Sequence, residues 1–307
     1  MSKARSGDSH STPAGLLNLM KPRGITSHDA VARVRRLTHV REVGHLGTLD
    51  PDASGVLPIA VGSSYTKLIQ WLELTPKIYR GWMELGVSTS SGDAWGAVVA
   101  RSGPPWPTRR NAVSSALWLV GDQWQIPPRV SALKHDGKRL YQLARQGQAV
   151  WPSPRPISVA SLKVLHGDGQ RWYFEATVGS GTYIRSLVRD WGWLLGHSAH
   201  LEGLERTGVG SFAATHSWSF QQLEEMGDQW ILALETYESH LSIAVHNLDP
   251  DVIPMIAHGR RDILPHIMGN AEGTVALVAN RDIIAIVTGP PWRFRKVLLK
   301  DGAYGAN

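Results

Sequence analysis

The chain has 307 residues, 42% of them hydrophobic, no cysteine, and a formal net charge of +6. That length and apolar content suit one substantial domain plus a small one and exclude a disordered chain; the absence of cysteine excludes a disulfide framework, a thiol nucleophile and a cysteine zinc site. No apolar run approaches the ~20 residues that span a bilayer, and the excess of Lys and Arg favours a polyanionic partner, because phosphate neutralisation drives such binding.

Residues 1–13 are polar and serine-rich, without the apolar segment of a secretory signal, and read as a flexible leader of a cytoplasmic protein. Gly15 to Met20 is a short apolar run ending at Lys21-Pro22-Arg23-Gly24, a strand entering a turn. Thr26 or Ser27 then caps a helix whose apolar positions Ala30, Val31, Val34 and Leu37 recur at helical spacing. From Gly44 to Gly55 the chain reads Gly-His-Leu-Gly-Thr-Leu-Asp-Pro-Asp-Ala-Ser-Gly, a loop by its glycines, its proline and its small polar residues. Pro51 pre-sets a turn and biases Asp50 toward an extended backbone. A carboxylate on such a loop meets a substrate without crowding, although an isolated Asp-Pro pair is also an ordinary turn initiator.

Val56 to Val61 follows as a buried strand, Ser64 to Leu72 as a helix and Lys77 to Val87 as a strand. Thr108 to Val120 is expected to be helical, and so is Lys138 to Gln146, which carries Leu140, Tyr141 and Ala144 along one side. Ile157–His166 and Arg171–Val178 alternate apolar with polar and should pair as antiparallel strands. Tyr183 to Leu195 is a helix opening just after Ser180-Gly181-Thr182, and the proline-rich stretches 103–107 and 152–156 are loops. Strands and helices do not alternate strictly, so the expected class is α+β: a mixed, largely antiparallel sheet with flanking helices. The texture changes near residue 246. Val275–Ala279 and Ile283–Thr288 form a hairpin around Asn280-Arg281-Asp282, and the basic, aromatic run Trp292-Arg293-Phe294-Arg295-Lys296 follows Pro290 and Pro291. The expected organisation is therefore a leader at 1–13, a main domain at 14–245 and a small β-rich domain at 246–307. Thirteen tryptophans are many; without better placement they read as core and domain-packing residues, not as base-stacking platforms.

Gly44 to Gly55 resembles the catalytic loop G-H-x-G-x-L-D-P-x-A-S/T-G of the TruB family of tRNA pseudouridine synthases. Four more blocks resemble that family in the same order. Lys21-Pro22-Arg23-Gly24-Ile25-Thr26-Ser27 is similar to its K-P-x-G-x-S/T-S block, and Tyr79-Arg80 after Lys77 to its tyrosine strand. Gln125-Ile126-Pro127-Pro128 with Ser131, Ala132, Lys134, Gly137, Tyr141, Ala144 and Arg145 resembles a long central block. Gly181-Thr182-Tyr183-Ile184-Arg185, with Leu187, Asp190 and Gly192, resembles the block carrying its arginine; a weaker likeness runs through His200, Leu201, Leu204 and Arg206. The last sixty residues loosely resemble the family's small PUA-like RNA-binding domain. Leu46, Asp52 and Glu205 depart from the family pattern, the first two beside the nucleophile, the third where an arginine is common.

The resemblance implies isomerisation of the T-loop uridine of tRNA, position 55, to pseudouridine by base flipping, with no cofactor and no metal. It implies Asp50 as the nucleophile, which must be ionised and held in place. Arg185 suits both tasks, because a guanidinium pairs with a carboxylate bidentately and favours its charged form, whereas an arginine in a first helical turn is ordinarily a solvated charge. Tyr79 is implied as the stacking partner of the extruded uracil, though a tyrosine in an apolar strand is also a common core residue. His45 is implied in evicting or holding displaced bases, Lys21 and Arg80 in phosphate or active-site contacts, and Leu204 in the apolar wall beside the base. The expected partner is the T-arm of tRNA, gripped on its acceptor side by the basic tail, with no membrane, no obligatory protein partner and a monomeric chain. Two other readings share these residues: a tRNA-folding RNA chaperone, and a guide-directed rRNA pseudouridine synthase working in a ribonucleoprotein.

Overall fold

The computed structural model describes residues 13–131, 133–135, 137–140, 152–280 and 282–298. The expected leader up to residue 12 and the helix expected through Tyr141 and Ala144 lie outside them. In chain order the strands are β1 (Gly15–Lys21), β2 (Val43–His45), β3 (Ser54–Val61), β4 (Lys77–Leu85), β5 (Val87–Thr89), β6 (Val98–Arg101), β7 (Gly121–Gln125), β8 (Lys134–His135), β9 (Lys138–Arg139), β10 (Arg155–Asp168), β11 (Arg171–Val178), β12 (Ala199–Val209), β13 (Phe212–Ala213), β14 (Leu234–Glu235), β15 (Ala244–Asn247), β16 (Gly273–Ala279), β17 (Asp282–Gly289) and β18 (Arg293–Val297).

The main sheet runs β14-β1-β3-β12-β4-β11-β10-β7, with β2 beside β3 and β13 beside β12. Its strand pairings are antiparallel except for β3 with β12. The α+β class is as expected, with a separate small β region at the C-terminus, β15-β16-β17-β18. Its first strand, Ala244–Asn247, straddles the boundary expected at 245/246.

Period-two alternation decides which face each side chain serves. Leu17, Leu19, Leu57 and Ile59 point to one face of the main sheet, where the helices Ser27–Thr38, Arg109–Leu117 and Ile184–Leu194 lay down Val31, Val34, Ala112, Ala116, Leu187 and Trp191. Leu16, Val56 and Ala60 point to the other, which is covered by Tyr65, Leu68 and Trp71 and by Ala276, Val278, Ile283 and Ile286 of the small sheet. Strand β3 is thus packed on both faces, which explains its unbroken apolar run. The small sheet closes its remaining face with Ile253, Ile256, Leu264 and Met268.

Three sequence expectations need correction. The helix expected at Ser64–Leu72 is a short turn of helix, Ser63–Thr66, followed by a 3-10 turn, Ile69–Trp71. The Trp71 carbonyl is taken instead by Ser242, whose N and Oγ both donate to it at 2.8 Å. The strand expected to reach Val87 breaks at Gly86, whose φ of +98° turns the chain into β5. The helix expected from Lys138 starts later: Lys138–Arg139 is β9, in a hairpin with β8 about Gly137 at φ +82°, and Leu140 is the first helical residue. Among the described residues no helix is long and apolar enough to cross a membrane.

Candidate active site

The loop between β2 and β3 is held from three sides, each by a side chain that the sequence places beside it in space and not in order. From the helix Ser27–Thr38, whose start is fixed by a capping box between Thr26 and Asp29, Ser27 Oγ donates to the Leu49 carbonyl at 3.0 Å. It also accepts from the Leu49 N–H at 2.9 Å. The residue immediately before Asp50 is therefore clamped at both backbone polar groups. From β12, Arg206 donates through Nε to Val56 O at 2.8 Å, through Nη1 to Thr48 O at 3.2 Å and through Nη2 to Gly47 O at 3.3 Å. It is 0% exposed. From β1, Lys21 Nζ donates to the carbonyls of Pro22 and Ile25 at 2.8 Å and of Pro51 at 3.2 Å, while the Gly24 N–H reaches Pro51 O at 2.9 Å.

Lys21 is also 0% exposed. Its ammonium lies beneath the loop, turned to those carbonyls, so of the phosphate or active-site contacts expected of it the described geometry shows the support of the Asp50 loop and no exposed surface for a phosphate. Burial pushes it down to about 8, against the attraction of Asp50 and Asp52. The folded chain therefore sheds this proton at lower pH than the unfolded chain, whose lysine titrates at its ordinary 10.5. Between about pH 8 and 10.5 the unfolded state binds more protons, so this group makes the folded state relatively more stable as pH rises. Urea titrations of wild type and Lys21→Met should diverge in favour of wild type across that window, by up to ~1.4 kcal/mol per pH unit. Parallel pH profiles of the two proteins would count against it.

Asp50 itself remains open: its side chain is 44% exposed, while that of its partner Arg185 is 6% exposed. Arg185 Nε stands 3.0 Å from Oδ2, and Nη2 donates to Oδ1 at 3.4 Å. The guanidinium is fixed by Nη1 donating to Ser91 O at 2.8 Å and Nη2 to Val130 O at 3.1 Å, with Asp93 Oδ2 at 3.7 Å from Nη1. Arg185 sits in the first turn of the helix Ile184–Leu194, which an amide clasp anchors: Gln125 Nε2 donates to Tyr183 O at 3.2 Å and Gln125 Oε1 accepts from Tyr183 N at 2.9 Å. A buried cation whose geometry is set by carbonyls thus orients an accessible carboxylate.

The cleft around this pair is walled by Arg23, Asp93, Trp95 and Leu204 among others. Of the expected site residues, the structure therefore brings together Asp50, Arg185 and Leu204. Tyr79 is buried on β4, across from Arg206 of β12 and Ala176 of β11. It belongs to the core cluster that holds Leu49, Ala53 and Ile184, behind the loop. His45 closes β2 with its ring edge-on to His28 at 5.3 Å, and burial, then His28 and Arg206, hold its imidazole below its ordinary range. Arg80 is exposed and ion-paired with Glu175 at 2.9 Å; Glu205 lies across from it on β12. No cluster of three or more His, Asp or Glu able to hold a metal ion occurs among the described residues.

Sequence reasoning missed Asp93 and Trp95, and noted Arg206 only as a weak likeness. The signal for the first two was the pair of glycines bounding Gly92-Asp93-Ala94-Trp95-Gly96, a tight turn carrying an acid and an aromatic. For Arg206 there was none, because an arginine in a strand gives no sign of being buried.

Residues 35–184 match the family model described as TruB family pseudouridylate synthase (N terminal domain). Over 294 residues the chain is 38% identical to tRNA pseudouridine synthase B of Dehalococcoides mccartyi, covering 93% of this chain and 97% of that one. Over 214 residues it is 42% identical to tRNA pseudouridine synthase B of Heliobacterium modesticaldum, covering 69% and 70%. In fold it is similar to a chain in the crystal structure of a Cbf5-Nop10-Gar1 complex, with TM-score 0.70, 24% identity and coverage of 94% and 86%. A structure of an H/ACA RNP bound to a substrate RNA containing 2'-deoxyuridine gives TM-score 0.69 at 22% identity, covering 96% of this chain and 88% of that one.

Proposed function

The chain belongs to the TruB family of pseudouridylate synthases, and from that premise we propose that it isomerises the T-loop uridine of tRNA to pseudouridine, with Asp50 as the catalytic carboxylate. The observation that carries the reading is the Asp50–Arg185 pair: an exposed carboxylate on a clamped loop, oriented by a buried guanidinium. The reaction breaks the bond from sugar C1′ to uracil N1 and makes one from C1′ to C5; a proton leaves C5 and another is gained at N1, so atoms and electrons balance within the nucleotide. Asp50 serves it either by adding to the sugar or by taking a proton from it. Arg185, held by Ser91 O and Val130 O, keeps its fork beside the carboxylate as the base turns. Leu204 gives the uracil an apolar wall in the same cleft. The uridine must leave its stack to reach Asp50, which RNA loops with splayed bases permit at a cost of roughly a few kcal/mol.

The named curated relatives act on tRNA, and their resemblance spans most of this chain, whereas the likeness to the ribonucleoprotein subunits is one of fold. That favours a chain acting unaided over the guide-directed reading. The main domain at 14–245 then holds the chemistry, and the small β region from 246 onward adds basic surface for the tRNA, including the exposed Arg293, Arg295 and Lys296. The test is pseudouridine mapping on unmodified tRNA transcript incubated with the purified chain. Conversion at the T-loop uridine is expected; tight binding without conversion would replace this reading by the chaperone or partner-dependent one.

A further inference from the structure

Trp95 is 71% exposed, yet it stands in the wall of the cleft that holds Asp50 and Arg185. A lone exposed tryptophan needs no explanation. This one is set apart by how firmly it is placed. It sits in the turn joining β5 to β6, where its N–H donates to Asp93 Oδ1 at 3.1 Å and the same oxygen accepts from Ser91 Oγ at 2.6 Å. Thr89 Oγ1 closes the turn on the Asp93 carbonyl at 2.6 Å. The Ala94 N–H reaches Leu201 O at 3.1 Å and the Leu201 N–H reaches Gly92 O at 3.0 Å, so the turn is stitched to β12 just before the Glu202-Gly203-Leu204 wall. The turn also supplies the Ser91 carbonyl that orients Arg185. One compact unit therefore fixes Arg185 on one side and presents an indole to solvent on the other.

We infer that Trp95 is a stacking platform for an unpaired nucleobase adjacent to the uridine that enters the cleft, a subsite for the flanking nucleotide of the RNA loop. Taking one base out of a loop leaves its neighbour without a stacking partner. An indole carried on an already fixed backbone at the cleft mouth supplies that partner at the ordering cost of its own two side-chain torsions only, and base–aromatic stacking is tolerant of base identity. Among the described residues no ring or guanidinium is stacked on Trp95. The inference rests on the RNA-modifying function proposed above and deepens it.

The test uses a T-arm stem-loop RNA with wild type, Trp95→Ala and Trp95→Phe, together with two versions of the RNA made abasic immediately 5′ or 3′ of the target uridine. On intact RNA, Trp95→Ala should raise KM about tenfold while the saturating single-turnover rate stays within about twofold, and Trp95→Phe should recover most of the loss. On one of the abasic RNAs wild type and Trp95→Ala should become equal, because the base that stacks is gone. A Trp95→Ala KM within twofold of wild type on intact RNA, or a defect undiminished on both abasic RNAs, would overturn the inference. So would a fall in the saturating rate with binding intact, which would mean that Trp95 acts only through Arg185. Failure of the wild type itself to convert the intact RNA would overturn the function proposed, and this subsite with it.

Discussion

Asp50→Asn should bind tRNA within about threefold of wild type and lose pseudouridine formation by at least ~10⁴-fold in single-turnover assays. The substitution keeps the shape of the side chain and removes its charge. The clamps that set the loop do not involve the Asp50 side chain: Ser27 grips Leu49, Arg206 grips Gly47, Thr48 and Val56, and Lys21 grips Pro51. Arg185 also keeps its carbonyl partners Ser91 and Val130 and its approach to Asp93. The unfolding midpoint should therefore change little, and what is lost is the anion at the sugar. Retention of more than about one hundredth of the wild-type rate would show that Asp50 only shapes the cleft. The chaperone reading predicts the opposite pairing of results, with no conversion by wild type and equal tRNA folding by both proteins.

The largest stability effect is expected at Gly55, where the Asp50 loop enters β3. Its φ is +114°, and a Cβ there would overlap the Arg206 carbonyl oxygen and lie 2.6 Å from the Arg206 nitrogen. Both are backbone atoms of β12, in register with Gly55 in the parallel β3–β12 pairing. Nothing flexible can yield, so Gly55→Ala should cost ~4 kcal/mol or more in urea unfolding. Gly227→Ala is the control: φ is +52°, but no atom lies within 4 Å of its Cβ position, so only the backbone preference is lost, ~1–2 kcal/mol. Equal costs at the two sites would refute the close-approach argument. Because Arg206 also fixes Gly47 and Thr48 through their carbonyls, any Gly55→Ala chain that still folds should show impaired catalysis as well.

The parts of this protein legible in its sequence are those governed by near neighbours. The helix beginning at Ser27 could be read from Thr26 and the spacing of Ala30, Val31 and Val34, and the β10–β11 pair from its alternation, since caps and periodicity act within a few residues. The hairpin about Asn280 was legible in the same way, and in the structure Asn280 takes φ +51° there. The run Ser64–Leu72 was misread because its end is settled by Ser242, far along the chain.

At the site, the glycines and the proline of Gly44 to Gly55 made the loop legible, because a tight turn is a local property; Asp50 was singled out by the family resemblance, since an Asp-Pro pair alone is an ordinary turn initiator. What could not be read was the fate of the cations. Lys21, Arg185 and Arg206 are alike in sequence as basic residues in matched or nearly matched blocks, and each ends buried with its charge turned to carbonyl oxygens. Lys21 and Arg206 became supports of the loop, while Arg185 alone faces the Asp50 carboxylate. Desolvation and the direction of a side chain depend on which strands meet. The β1-β3-β12-β4 order that places Lys21, Asp50, Arg206 and Tyr79 around one another is set by packing on both faces of the sheet, across separations of up to some 185 residues. Residue types and short-range geometry determined the chemistry available to this protein; only the tertiary structure decided which charges remain in water to use it.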